Sequence, residues 1–104
     1  PLVKGHTLVV PKREVDYIFD LEDEEVGAMQ IFAKSVAAAI RQAFPCLKVG
    51  EAVIGLEVPH AHIHLIPIQK ESDMLFSNPK LQLSGDEFVA IAKAINEAWE
   101  NNRK

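Results

Sequence analysis

The chain is poor in cysteine, aromatic residues and long apolar runs, and it carries no excess of positive charge. Its one cysteine, Cys46, excludes an intramolecular disulfide and favours a reducing, cytoplasmic location. No stretch of the sequence approaches the roughly 18 consecutive apolar residues of a membrane span, so we expect no membrane partner. The formal net charge is −4, with acidic residues crowded at positions 20–25 and no basic cluster. We therefore expect no nucleic-acid partner.

What is present is the composition of one ordinary globular domain. The 104 residues are 48% hydrophobic and 25% charged. Surface scaling allows a chain of this size to bury about 65% of its unfolded surface, which suffices for one core and not for two. We therefore expect a single domain over residues 1–104. Because the chain runs from Pro1 through a loop straight into a strand, we also expect the first element of the domain to lie upstream.

Two amphipathic helices are predicted by apolar residues that recur at intervals of three and four. The first runs from Glu22 to Phe44, has an acidic first turn and ends before Pro45. The second begins at Ser84, whose spacing from Glu87 is that of a capping box. The apolar stripe of the second helix consists of Phe88, Ile91, Ala92, Ile95 and Trp99.

Three segments rich in β-branched residues predict strands, over His6–Pro11, Lys48–Val58 and Ala61–Ile68. The middle strand is interrupted by glycines. Residues 69–83 are polar and aperiodic, which predicts a long surface loop. The order strand, long helix, two strands, helix, with neighbouring strands paired as a hairpin, predicts an α+β fold around an antiparallel sheet.

Three of the four histidines, His60, His62 and His64, alternate with apolar residues in the last predicted strand. Since side chains in a strand alternate with a period of two, the three imidazoles should share one face. The apolar residues of the opposite face are Ala61, Ile63 and Leu65. We expect the apolar face to pack on a helix and the imidazole face to line a cavity or a ligand site.

Such a histidine face is suited to phosphorus chemistry. Neutral imidazole is a nucleophile near pH 7, because its ordinary pKa of about 6.5 leaves much of it unprotonated. If a backbone carbonyl accepts one ring N–H, the other nitrogen carries the lone pair and can attack a phosphoryl or nucleotidyl centre, forming an intermediate that water then releases. Flanking histidines can donate to the phosphate oxygens and to the leaving group.

The alternative chemistry is metal binding, in which two neighbouring histidines share a zinc ion. The outer Cα atoms of the three histidines would lie roughly 13 Å apart at about 3.3 Å per residue, so one ion could reach all three only through a bend or bulge. We therefore expect no metal, and a metal-binding histidine strand remains a second alternative.

With these residues the sequence resembles the histidine triad (HIT) superfamily. The signature His-x-His-x-His followed by apolar residues corresponds to residues 60–66, and Gly5 to Lys12 is similar to the strand that carries a further histidine, here His6. Residues 55–59 resemble the segment that leads into the triad. The resemblance extends over roughly residues 4–68. It implies a HIT-like antiparallel sheet with a long helix, to which the helical period adds the C-terminal helix.

The resemblance also implies an activity. Relatives of this kind are nucleotide hydrolases and transferases that act at the α-phosphorus of nucleoside phosphoramidates or dinucleoside polyphosphates, through a nucleotidyl-histidine intermediate and without a cofactor. The resemblance implies His62 as the nucleophile, His64 as the contact to phosphate and leaving group, and His60 as the first triad member. The other implied site residues are His6, which would support the triad by hydrogen bonding, and Glu57 and Val58, which would line the phosphate site.

Three positions depart from the family pattern. Leu56 stands where many relatives have glutamine, Ile68 where a basic residue is common, and Glu14 where zinc-carrying bacterial relatives have histidine. The first departure removes a polar phosphate contact, and the last disfavours the structural zinc of those relatives.

Family members are typically homodimers, which makes the helix Glu22–Phe44 the candidate contact with a second copy. The family's domain begins with a helix and a hairpin, which we expect this single HIT-like domain to lack. The first alternative to an enzyme is a non-enzymatic nucleotide-binding or scaffold protein that keeps the pocket without turnover.

Overall fold

The computed structural model describes every residue from Pro1 to Lys104. Three strands, β1 (Thr7–Val9), β2 (Lys48–Ala52) and β3 (Ile63–Ile68), form one sheet. The order in the sheet is β1-β3-β2 and both pairings are antiparallel. With the two helices this arrangement is the predicted α+β fold. No helix in the chain combines the length and the apolar character needed to cross a membrane.

Helix α1 (Asp23–Ala43) begins and ends where the sequence predicts. The Glu22 backbone N–H donates to the Glu25 carboxylate at 3.1 Å, which completes one half of a capping box. The same carboxylate accepts two hydrogen bonds from Arg13, at 2.7 and 3.0 Å, which tie the connector after β1 to the first turn of the helix. These bonds, those from Arg13 foremost, lower the pKa of Glu25 to about 2.

The core lies between one face of α1 and one face of the sheet. Ile63 and Leu65 of β3 and Ala61 just before it are buried there, as predicted for the apolar face. The helix contributes Met29, Ala33, Val36 and Ile40, and β1 contributes Val9. The opposite sheet face is therefore left for the side chains that alternate with these residues.

Helix α2 (Gly85–Asn102) has the predicted Ser84–Glu87 capping box and packs on α1. The Trp99 indole N–H donates to the Ser35 hydroxyl at 3.0 Å, and its ring contacts Phe32 edge-on with centroids 6.0 Å apart. No residue of α2 is fully buried, so this helix covers the outside of α1 and does not form the site.

The strand predictions were too long at the ends. The strand predicted over Lys48–Val58 stops at Ala52, its last residue paired with β3, and beyond it Gly55 adopts a φ of +69°, in the left-handed region that extended strands do not use. The strand predicted over Ala61–Ile68 begins only at Ile63, and the one predicted over His6–Pro11 is reduced to Thr7–Val9. Residues 53–62 instead form an irregular segment beside the site.

The predicted surface loop over residues 69–83 is also more ordered than its composition indicates. A short 3₁₀ helix spans Glu71–Met74, and the Asp73 carboxylate accepts from the backbone N–H groups of Gln69 and Lys70 at 2.8 and 3.2 Å. Met74 packs over Gly50 of β2, so closely that a Cβ on Gly50 would lie 2.5 Å from the Met74 sulfur. The segment is therefore fastened to the sheet.

Candidate functional site

A cavity of about 370 Å³ opens on the sheet face opposite α1, and His62 and His64 line it. His64 lies on β3, directly across from Leu8 of β1 and Ala52 of β2. His62 precedes the strand by one residue and is 9% exposed. The irregular segment before β3 supplies another wall, which includes Glu57 and Val58.

Three histidines form a continuous hydrogen-bonded row. The His6 Nε2 and His64 Nδ1 atoms are 3.0 Å apart, and the His64 Nε2 and His62 Nε2 atoms are 3.1 Å apart. Backbone groups terminate the row at both ends. The Leu2 N–H donates to His6 Nδ1 at 3.0 Å, and His62 Nδ1 lies 2.8 Å from the His60 carbonyl oxygen.

The two backbone ends assign the proton of every neutral ring in the row. Because the Leu2 N–H can only donate, His6 Nδ1 accepts and the His6 proton lies on Nε2. That proton is donated to His64 Nδ1, which leaves the His64 proton on Nε2, pointing at His62. At the other end the His60 carbonyl can only accept, so the His62 proton lies on Nδ1. Both ends lead to the same result, in which His62 Nε2 carries a lone pair.

The environment favours the neutral rings that this assignment requires. Burial lowers the pKa of His6 to about 4, with smaller contributions from His64 and Lys80 among others. Burial and the neighbouring His62 also lower the pKa of His64. At neutral pH the row therefore holds one proton on each of these two rings.

His60 does not join the other two triad histidines, contrary to the expectation that all three share one sheet face. It lies outside β3, where the period of two does not apply, and it does not line the cavity. Its Nε2 atom is 3.2 Å from the Pro11 carbonyl oxygen, and its own carbonyl accepts from His62. Its contribution to the site is thus the backbone group that orients the His62 ring.

No group of three or more histidine, cysteine, aspartate or glutamate side chains is arranged to hold a metal ion. Both ring nitrogens of His6, His62 and His64, and Nε2 of His60, are instead engaged with other histidines or with backbone groups. A ligand set drawn from the three triad histidines is therefore not assembled.

Four cavity residues are not indicated by the sequence analysis: Leu8, Ile54, Phe76 and Lys80. The alternation of β1 could have revealed Leu8, since its neighbour Val9 is in the core. Phe76 contacts the His64 ring edge-on at a centroid distance of 4.8 Å, and the His6 ring at 6.4 Å. Phe76 and Lys80 lie in an aperiodic segment, where no periodicity indicates the direction of a side chain.

Comparison with known proteins relates this chain to proteins with a HIT domain. The sequence profile of the HIT domain matches residues 1–71. The chain is 31% identical over 113 residues to an asymmetrical bis(5'-nucleosyl)-tetraphosphatase of Schizosaccharomyces pombe, an alignment that covers 100% of this chain and 61% of that relative. It is 32% identical over 97 residues to an adenosine 5'-monophosphoramidase of Saccharomyces cerevisiae, with coverages of 91% and 61%. The chain thus spans less than two thirds of the length of each of these relatives.

Among solved structures, a hypothetical histidine triad nucleotide-binding protein from Sulfolobus tokodaii superposes with a TM-score of 0.79 at 22% identity. The superposition covers 97% of this chain and 73% of the other. At this level of identity the likeness establishes the fold.

Proposed function

The chain belongs to the HIT domain family, and from this membership we propose that it is a nucleotide hydrolase whose nucleophile is His62. The observation that carries the proposal is the lone pair of His62 Nε2 at the cavity wall, assigned independently from both ends of the histidine row. A neutral imidazole with a fixed tautomer is ready to attack an electrophilic phosphorus without first losing a proton.

The first step forms a bond between His62 Nε2 and the α-phosphorus of the substrate, while the bond from phosphorus to the leaving group breaks. His64 Nε2–H, which is 3.1 Å from His62 Nε2 in the free protein, is placed to donate a hydrogen bond to a phosphoryl oxygen and to the leaving-group atom as negative charge develops there. The leaving group takes the proton it needs from water. In the second step the oxygen of a water molecule bonds to phosphorus, the bond from phosphorus to His62 Nε2 breaks, and the water releases a proton to solvent. The products are a nucleoside monophosphate and the protonated leaving group.

The remaining site residues hold the ring protons in place or line the cavity. His6 donates to His64 Nδ1 and so holds the His64 proton on the side that faces His62. The His60 carbonyl holds the proton of His62 on Nδ1. Glu57 and Val58 line the cavity, where we propose that they contact the substrate beside the reacting phosphate.

The names of the relatives indicate two substrate classes, dinucleoside polyphosphates and adenosine 5'-phosphoramidate. The test incubates the complete protein with diadenosine tetraphosphate and with adenosine 5'-phosphoramidate and measures AMP release by chromatography. Release from at least one substrate, abolished in His62→Ala, is the expected result. Nucleotide binding without any release of AMP would contradict the proposal and support the non-enzymatic alternative.

A further inference from the structure

Lys80 is the only lysine or arginine that lines the cavity. It belongs to the segment after β3, beyond the residues that match the family profile. Its ammonium group donates to the carbonyl oxygens of Phe76 and Asn78, the latter at 3.0 Å, and forms no ion pair. Because an ammonium has three N–H donors, these two contacts leave one donor for an anion.

The position of this ammonium is set by a fastened backbone. The Asn78 side chain donates to the Ser72 carbonyl at 2.7 Å, and the Leu81 N–H donates to the Pro1 carbonyl at 2.8 Å. Phe76, four residues before Lys80, packs against the His64 ring. The two carbonyls that hold the Lys80 ammonium therefore belong to the same ordered unit as the histidine row.

The cavity has little other positive charge with which to bind an anion. Burial keeps His64 neutral at pH 7, and His6 behind it is neutral as well. Glu57 is the other charged residue of the lining, and it is negative. An anionic chain of several phosphates would therefore meet Lys80 as the permanent cation of the cavity.

We propose that Lys80 is a specificity-determining residue that binds the phosphates of the leaving group and so favours substrates with an anionic leaving group. A dinucleoside polyphosphate releases such a group, whereas a phosphoramidate releases ammonia or an amine, which carries no negative charge for an ammonium to bind. This inference rests on the proposed function, because it assigns the charge preference of the same site.

The experiment compares kcat/KM for diadenosine tetraphosphate and adenosine 5'-phosphoramidate in the wild type and in Lys80→Gln, Lys80→Arg and Lys93→Gln. Lys93 is an exposed lysine on α2, so Lys93→Gln is the control that removes the same charge away from the site. We expect Lys80→Gln to reduce the ratio of the tetraphosphate value to the phosphoramidate value by about 10-fold or more, the range of a lost charge-assisted hydrogen bond. Lys80→Arg should restore part of the ratio, and Lys93→Gln should leave it unchanged.

An equal loss on both substrates, or no loss, in Lys80→Gln would overturn the inference. A second measurement keeps it separate from the proposed function: the Kd values of ATP and of adenosine, determined by calorimetry in the same variants. If the wild type released no AMP from either substrate, the hydrolase proposal would fail. A weaker Kd for ATP alone in Lys80→Gln would still support Lys80 as a phosphate-binding residue, and an unchanged Kd for ATP would overturn that role too.

Discussion

At the scale of single residues, His6 couples the acid stability of the fold to the protonation of the site. The pKa of His6 is lowered to about 4 in the folded chain, mainly by burial, whereas an unfolded histidine titrates near its ordinary value of 6.5. Between these two values the unfolded chain binds a proton that the folded chain does not. The free energy of unfolding should therefore decrease as the pH falls from 6.5 towards 4.

His6→Gln tests this coupling, since glutamine can donate to His64 and does not titrate. The measurement is urea unfolding of both proteins at pH 7 and at pH 5. We expect the loss of stability between the two pH values to be smaller in the variant, whatever its stability at pH 7. An equal loss in the two proteins would show that His6 does not carry the effect.

At the scale of elements, Gly50 determines how closely the segment after β3 approaches the sheet. A methyl group at this position would lie 2.5 Å from the Met74 sulfur and 3.3 Å from Ile68 Cδ1, so the Met74 side chain would have to leave its present position on the sheet. We expect Gly50→Ala to lower the free energy of unfolding by about 1 kcal/mol, a typical cost of overpacking. Denaturant unfolding provides the measurement.

Gly27→Ala is the matched control. Gly27 lies in α1 and nothing lies within 4 Å of an added Cβ, so alanine should stabilise the helix by up to about 1 kcal/mol. If Gly50→Ala were as stable as the wild type and kept its activity, close packing of Met74 on β2 would not be needed to hold the segment.

The sequence predicts the elements that have a regular period. The 3.6-residue period and the caps locate both helices, and the two-residue period correctly places Ile63 and Leu65 in the core. The period fails where the backbone leaves the sheet, which is why the sequence misplaces His60. No periodic pattern in the sequence indicates that Lys80 lines the cavity, because its position follows from packing of its segment on β2 and β3.

At the scale of the whole molecule, we propose that two copies associate through α1 and the edge strand β2. Within α1, Ala33 and Ala39 are buried in the chain itself and cannot contact a second copy. Ala38 remains exposed and lines a groove that also contains Leu47 of the segment before β2. This groove is the surface that a second copy would cover.

Ala38→Glu would place a charge in that groove, so we expect the variant to be monomeric where the wild type is dimeric at micromolar concentration. Light scattering coupled to gel filtration gives the mass of each. Ala90→Glu, at an exposed position of α2, should leave the mass unchanged. A monomeric wild type would contradict the proposed association.

The proposed mechanism requires that His62 forms a covalent bond to the nucleotide. Because the phosphorus–nitrogen bond of such an intermediate is labile in acid, the reaction is stopped at alkaline pH within the first turnover. Peptide mass spectrometry then locates any nucleotidyl group. We expect a nucleotidyl adduct on His62 in the wild type. In His62→Ala we expect no adduct and a kcat lower by about 1,000-fold or more, with nucleotide still bound. An active His62→Ala protein, or an adduct on another residue of the wild type, would contradict the account.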